Sequence, residues 1–140
     1  MKLQFSHAEA LEGFRFKAND HCRLAILVDP EMSGGSMTWF LEIHDPGDRV
    51  PAHSHHHAIE AYFVLRGNVI FHTENDALAA SGGDSVVIPA DAVHDFENPG
   101  PGRLYLITLL ANDGGEFARL LRAGVPTPLD AEDLEVLRHL

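Results

Sequence analysis

Apolar residues in this chain come in short runs broken by Gly, Pro, Asn and Asp, and the clearest run alternates with period two. Over residues 38–44, Trp39, Leu41 and Ile43 alternate with Thr38, Phe40, Glu42 and His44. Successive strand side chains point to opposite faces, so this spacing predicts a strand. Similar runs predict strands over 24–28, 50–57, 60–66, 68–73, 85–88, 94–97 and 104–110. Many short strands separated by turn signals predict an all-β sandwich or barrel. Trp39, Phe40 and Leu41 are consecutive and bulky. Both faces of their strand are therefore partly apolar, and one must find cover outside the barrel interior.

The two ends carry a different pattern. Ser6 and Glu9 have capping-box spacing and predict a short helical turn halted at Gly13. Phe117, Leu120 and Leu121 fall at helical spacing within 116–123, before Gly124 and Pro126. Asp130 is placed to cap a last helix holding Leu134, Leu137 and Arg138. The acidic stretch 130–135 reads as a solvated helix start. With no linker or repeat, the chain reads as one domain over 1–140, a barrel core over about 22–111 and a mostly helical tail over 112–140. Gly114 and Gly115 let the tail swing back, and its apolar helix face must pack on something. The expectation is outer packing with partial cover of the barrel mouth.

Composition narrows the function. The hydrophobic fraction of 45% supports a real core, and a formal charge of −11 argues against nucleic-acid partners and anionic membranes. No run of ~18 apolar residues predicts a transmembrane helix, and the first residues lack a signal-peptide core. Cys22 stands alone, so an internal disulfide and a cysteine-built zinc site are excluded. It is expected to be a buried or half-buried thiol in a reducing cytoplasm. Ten histidines are unusual for 140 residues, and four of them fall within 52–58.

On a strand, His53, His55 and His57 would share one face and His56 the other. Two imidazoles at i and i+2 can close on one metal. Glu60 follows after a tight corner at Ala58-Ile59, and His94 comes 34 residues later. A carboxylate beside imidazoles suits Fe, Mn, Ni, Co or Zn as a divalent ion. His57 is the rival for a place in the set. Tyr62, two after Glu60, should face the same way and could donate a hydrogen bond to a ligand; barrel interiors also need aromatic filling. Phe96 is expected as a pocket wall. Glu42 and His44 share a strand face and could support the site or face solvent. Arg49 and Arg66 do not clearly face inward.

Residues 47–67 resemble the first cupin motif at every fixed position. These are Gly47, the pair His53 and His55 after five residues, Glu60 after four more, and Gly67 after a further six. Residues 83–98 resemble the second, with Gly83, Pro89, His94 and Asn98 at the expected spacings. Asp91 replaces the usual turn glycine, and Asp tolerates left-handed backbone better than most residues. The two motifs cover about a quarter of the chain, and the stretch between them has 15 residues.

The resemblance implies a double-stranded β-helix, or jelly-roll barrel. It implies one divalent transition metal held by His53, His55, Glu60 and His94, a set that favours His53 over His57. It also implies a homodimer. Function follows from the site rather than the fold. The first expectation is a metal-dependent dioxygenase acting on a small chelating substrate, with Glu60 and Tyr62 as catalytic residues. The alternatives are a metal-dependent isomerase, lyase or epimerase, and a small-molecule binding module without turnover.

Overall fold

The computed structural model describes residues 2–139. Eleven strands are assigned: β1 Gly13–Arg15, β2 Arg23–Val28, β3 Met37–His44, β4 Arg49–His53, β5 Ile59–Arg66, β6 Asn68–His72, β7 Ala77–Ser81, β8 Ser85–Ile88, β9 His94–Glu97, β10 Leu104–Ala111 and β11 Val125–Pro126. They form a seven-stranded sheet in the order β11-β1-β2-β3-β10-β5-β8 and a four-stranded sheet in the order β4-β9-β6-β7. Every described pairing is antiparallel. Two antiparallel sheets with a short helical tail are the all-β barrel expected from the strand pattern and the jelly roll that the cupin resemblance implies.

Between the sheets lie Tyr62, Val64, Val69, Phe71, Phe96 and Leu106. Nearer one end, Phe14, Leu24, Ile26, Phe40 and Leu110 form a second cluster with Ala118 and Leu121 of helix α1, Glu116–Arg122. A third cluster, Ala25, Leu41, Ile43 and Tyr105, is closed by Val136 of helix α2, Ala131–Arg138. β3 is therefore buried on both faces from Phe40 to His44, while Trp39 stays exposed. Gly67, between β5 and β6, has φ 101°, and a Cβ there would stand 2.8 Å from the Arg103 carbonyl oxygen. Only glycine suits that turn.

Several boundaries differ from the expectation. The strand predicted over 50–57 ends at His53. The chain must leave the four-stranded sheet there and cross to β5 in the other sheet, and His57 takes φ 58° in the crossing. His55 and His57 therefore do not extend a strand face that begins at His53. The short strand β1, the edge strand β11 and the alanine-rich β7 had no readable signal, because partner strands rather than β propensity define them. Ser6 caps nothing: the turn Ala8–Ala10 follows His7 without a side-chain cap bond. In α1 the buried positions are Ala118 and Leu121, Phe117 is half-buried, and Leu120 is 56% exposed.

Asp130 caps α2 through a full capping box with Asp133. The acidic stretch is not wholly solvated, however. Asp133 is fully buried, ion-paired to Arg23 and accepting hydrogen bonds from Tyr105 (2.9 Å) and Arg103 (3.2 Å).

Candidate metal centre

His53 ends β4 directly opposite His94, which opens β9. Glu60 lies on β5 in the other sheet, and His55 in the crossing between them. The fold thus brings His53, His55, Glu60 and His94 together, and one ligand atom from each lies within 4.8 Å of the other three. Around an ion with bonds of ~2.1 Å, donors are separated by about 3 Å when adjacent and about 4.2 Å when opposite. The cluster is compatible with that span.

Backbone carbonyls set the tautomers. His53 Nδ1 donates to Pro51 O at 2.8 Å, and His94 Nδ1 donates to Ala92 O at 2.9 Å. A carbonyl only accepts, so each Nδ1 carries a proton and each Nε2 is the nitrogen left for the centre. His94 Nε2 stands 2.8 Å from Glu60 Oε1. His55 Nε2 lies 3.4 Å from Glu60 Oε2, but off the hydrogen-bond direction, and this buried nitrogen makes no hydrogen bond among the described residues. A buried orphan of this kind calls for an explanation, and a bound ion is one.

Charge in the cluster is strongly biased. Burial pushes the Glu60 carboxyl up, but His55 and His94 outweigh it and hold its pKa at about 2. Glu60 raises His55. Burial pulls His94 down, and Glu60 and the Ala92 carbonyl more than offset that. Burial, with the nearby Glu60 and Glu42 carboxylates, keeps the Tyr62 hydroxyl protonated far above the ordinary phenol range. Tyr62 packs on Phe71 and Phe96 with ring centroids 5.0 and 5.6 Å apart. It therefore fills the barrel and lines the same cavity as Glu60 and His53.

The cluster opens into a cavity of about 460 Å³ whose walls include Phe16, Leu24, Val50, Tyr62, Phe96 and Phe117. Phe117 comes from α1, and its ring centroid lies 6.0 Å from that of His55 and 4.8 Å from that of Phe40. The first tail helix thus covers part of the mouth, while α2 packs outside. Cys22 lines the same cavity, half-buried, with burial and nearby acids pushing its thiol to about 12. Arg49 reaches the cavity rim, contrary to the expectation, but is paired with Glu97 at 2.9 Å.

Other predicted positions fall elsewhere. His56 and His57 are exposed in the crossing turn, where both bond to Asp91: His56 through its ring at 3.0 Å, His57 through its backbone N–H at 3.3 Å. Asp91 adopts φ 66°, so it serves the turn where glycine is usual. Glu42 and His44, open from sequence, are buried on the cavity wall. Sequence gave no signal for Phe16 or for Asp48, which bonds His44.

A two-sheet jelly roll with three imidazoles and one carboxylate at one end of its interior is the architecture of a cupin-type metal-site protein. The family model for the cupin domain matches residues 40–109, and the chain belongs to that family. Over 64 residues the chain is 34% identical to mannose-1-phosphate guanylyltransferase RfbM of Salmonella typhimurium. That match covers 46% of this chain and only 13% of the relative's length.

Among solved structures, a predicted oxalate decarboxylase from Thermotoga maritima aligns with TM-score 0.62 and 23% identity, over 64% of this chain and 79% of that one. The cupin domain of Schizosaccharomyces pombe Cnp3 aligns with TM-score 0.62 and 18% identity, over 72% of each chain. A putative sugar phosphate isomerase from Acidithiobacillus ferrooxidans is 27% identical, with TM-score 0.54, over 64% of this chain and 60% of that one. The first two likenesses concern the fold alone.

Proposed function

We propose that the protein binds one divalent transition metal through His53, His55, Glu60 and His94 and acts as a dioxygenase on a small chelating substrate. The observation that carries the reading is the orphaned His55 Nε2 beside Glu60, His53 and His94 at the head of an aromatic-walled cavity. His53, His55, Glu60 and His94 would hold the ion, which when bound would supply Lewis-acid or redox chemistry. The aromatic walls and Phe117 would exclude water, and Tyr62 lines the cavity beside Glu60.

A second reading, a non-redox isomerase, lyase or epimerase, is supported by the likeness to a putative sugar phosphate isomerase. Metal analysis of protein purified without added metal, followed by oxygen uptake with catechols, flavonols and diketones, separates the two. Uptake matched by substrate loss supports the dioxygenase. A bound metal with no uptake across the panel points to the second reading, or to a binding module.

The location we infer is the cytoplasm, from the unpaired Cys22 thiol. Among the described residues no helix is long and apolar enough to cross a membrane.

Metal retention should depend on pH. Ligating imidazoles must be neutral. Without metal, His55 and His94 have raised pKa values, so their pairing with Glu60 stabilises the protein fully below about 6.5 and is lost as pH rises through those values. Metal binding runs the other way and weakens as pH falls. Apparent affinity is expected to drop by up to about tenfold per pH unit for each imidazole that takes a proton. Metal content after gel filtration at stepped pH measures this. Full occupancy at about pH 4 would contradict the site.

A homodimer is also proposed. α2 covers Leu41 and Ile43, but Trp39 and Phe63 remain 38% and 43% exposed around an apolar hollow that Ile107 and Leu109 also line. Sedimentation at micromolar concentration should give twice the chain mass; a single monomer species removes the proposal.

A further inference from the structure

The cavity has a second charged wall that the proposed metal centre does not use. His44 is 2% exposed and lies between two carboxylates, with Nδ1 2.9 Å from Asp48 Oδ2 and Nε2 3.1 Å from Glu42 Oε2. Carboxylates at such distances accept, so the ring must donate from both nitrogens and carry a positive charge. Burial works against that charge, yet the two acids outweigh it and raise the His44 pKa to about 9. Two carboxylates against one imidazolium leave a single negative charge in the wall.

Burying the Glu42 and His44 charges, with Asp48 half-buried beside them, is expensive unless they pair well, and hydrophobic replacements often do as well for stability. Charge retained in a cavity wall is therefore a candidate for function. Glu42 is 6% exposed and lines the cavity together with His53, Glu60 and Tyr62. Among the described residues no hydrogen bond is made to its second oxygen, Oε1, whereas Oε2 is held by His44. The other charged residues lining this cavity are Asp20, a further acid, and Arg49, already paired with Glu97. Apart from the candidate metal ligands, the cavity thus presents hydrogen-bond acceptors and negative charge.

We propose that Glu42, oriented by His44 and Asp48, is a specificity-determining residue that receives a cationic or hydrogen-bond-donating group of the substrate. The inference rests on the metal-centre reading for the other end of that substrate, which would carry the chelating oxygens. The substrate class is then a small aromatic chelator bearing an amine or hydroxyl tail, and chelators with an anionic tail are disfavoured. Such a molecule complements a cavity that is positive at the loaded metal and negative at Glu42.

Three catechols that share a chelating end and differ in tail charge test this: 3,4-dihydroxyphenethylamine, 4-ethylcatechol and 3,4-dihydroxyphenylacetate. Titrated into metal-loaded protein, the amine is expected to bind at least about tenfold more tightly than the acetate, with ethylcatechol between them. In Glu42→Gln that ratio should fall to within about twofold of unity. The variant changes the formal charge of −11 by one unit, so attraction by the whole protein stays nearly constant. A ratio near unity in the unaltered protein, or one that persists in Glu42→Gln, overturns the proposal. Should Glu42→Gln fail to fold, Glu42→Asp withdraws the carboxylate by one methylene and should lower the ratio at least about threefold; an unchanged ratio overturns it.

A parallel arm uses metal-stripped protein with phenethylamine and phenylacetate, which cannot chelate. The amine should still bind more tightly, and equal, reversed or absent binding overturns the assignment of Glu42. If 4-ethylcatechol fails on metal-loaded protein while the amine preference survives on stripped protein, the chelating reading fails and the role of Glu42 stands.

Discussion

Replacing His94 by alanine is expected to lower metal affinity by about a hundredfold or more while leaving the barrel folded. Loss of a residue that merely orients a ligand already costs 10–100-fold in affinity at known sites. His94 is proposed as a ligand itself, and its Nε2 points at Glu60 from 2.8 Å. A hundredfold loss corresponds to about 2.8 kcal/mol of binding. The fold should survive, because β9 keeps its pairing with β4 and β6 through Glu97 and Phe96. His56→Ala is the matched control. Its ring is exposed and bonded to Asp91 rather than to the cluster, so metal content should stay close to that of the unaltered protein. Calorimetric titration of both variants with one metal decides the matter, and equal loss in the two would place the centre wrongly.

The largest effect on stability is expected from Asp133→Ala. Its carboxylate pairs with buried Arg23, accepts from Tyr105 and Arg103, and closes the capping box with Asp130. Removing one partner of a buried ion pair strands the other, at a cost of about 3–5 kcal/mol. For a chain of this size that lowers the melting temperature by roughly 10 °C or more. The loss should be centred on α2, which covers Leu41 and Ile43 through Val136. Replacing both members, Arg23→Met with Asp133→Leu, should recover much of the stability, because no charge is then left unpaired. Thermal denaturation of the single and double variants tests this. A drop of under 2 °C in Asp133→Ala, well inside the cost of one ordinary hydrogen bond, would show that the pair does not hold the helix.

The β3 strand shows how far the sequence could be read. Its alternation predicted a strand, and its three bulky residues predicted that both faces would need cover. Which element supplies the cover was not legible. Leu41 and Ile43 are covered by α2, more than eighty residues away along the chain, and Phe40 is covered partly by Phe117 of α1. Period two tells which side chains share a face, but not which face turns inward. That choice depends on what the rest of the chain brings against it.

The histidine cluster shows the same division. The spacing from Gly47 to Gly67, and the partner motif over residues 83–98, pointed to the cupin barrel and to four candidate ligands. The reason offered from strand periodicity for pairing His53 with His55 does not hold, because β4 ends at His53 and His55 reaches the cluster from the crossing. The choice of these four residues rests only on the motif spacing.

By itself, then, the sequence determined most of the strand pattern, the two tail helices with the Asp130 cap of the second, and the four candidate residues at the head of the barrel. Short-range rules govern each of these: side-chain period, capping chemistry and motif spacing. Tertiary structure alone decided that Asp133 would be buried against Arg23, 110 residues away, and that Glu42 and His44 would face the cavity rather than solvent. A lone acid or histidine in a polar stretch reads as solvated, because burying its charge is unfavourable until a partner is present. Only the folded chain supplies that partner.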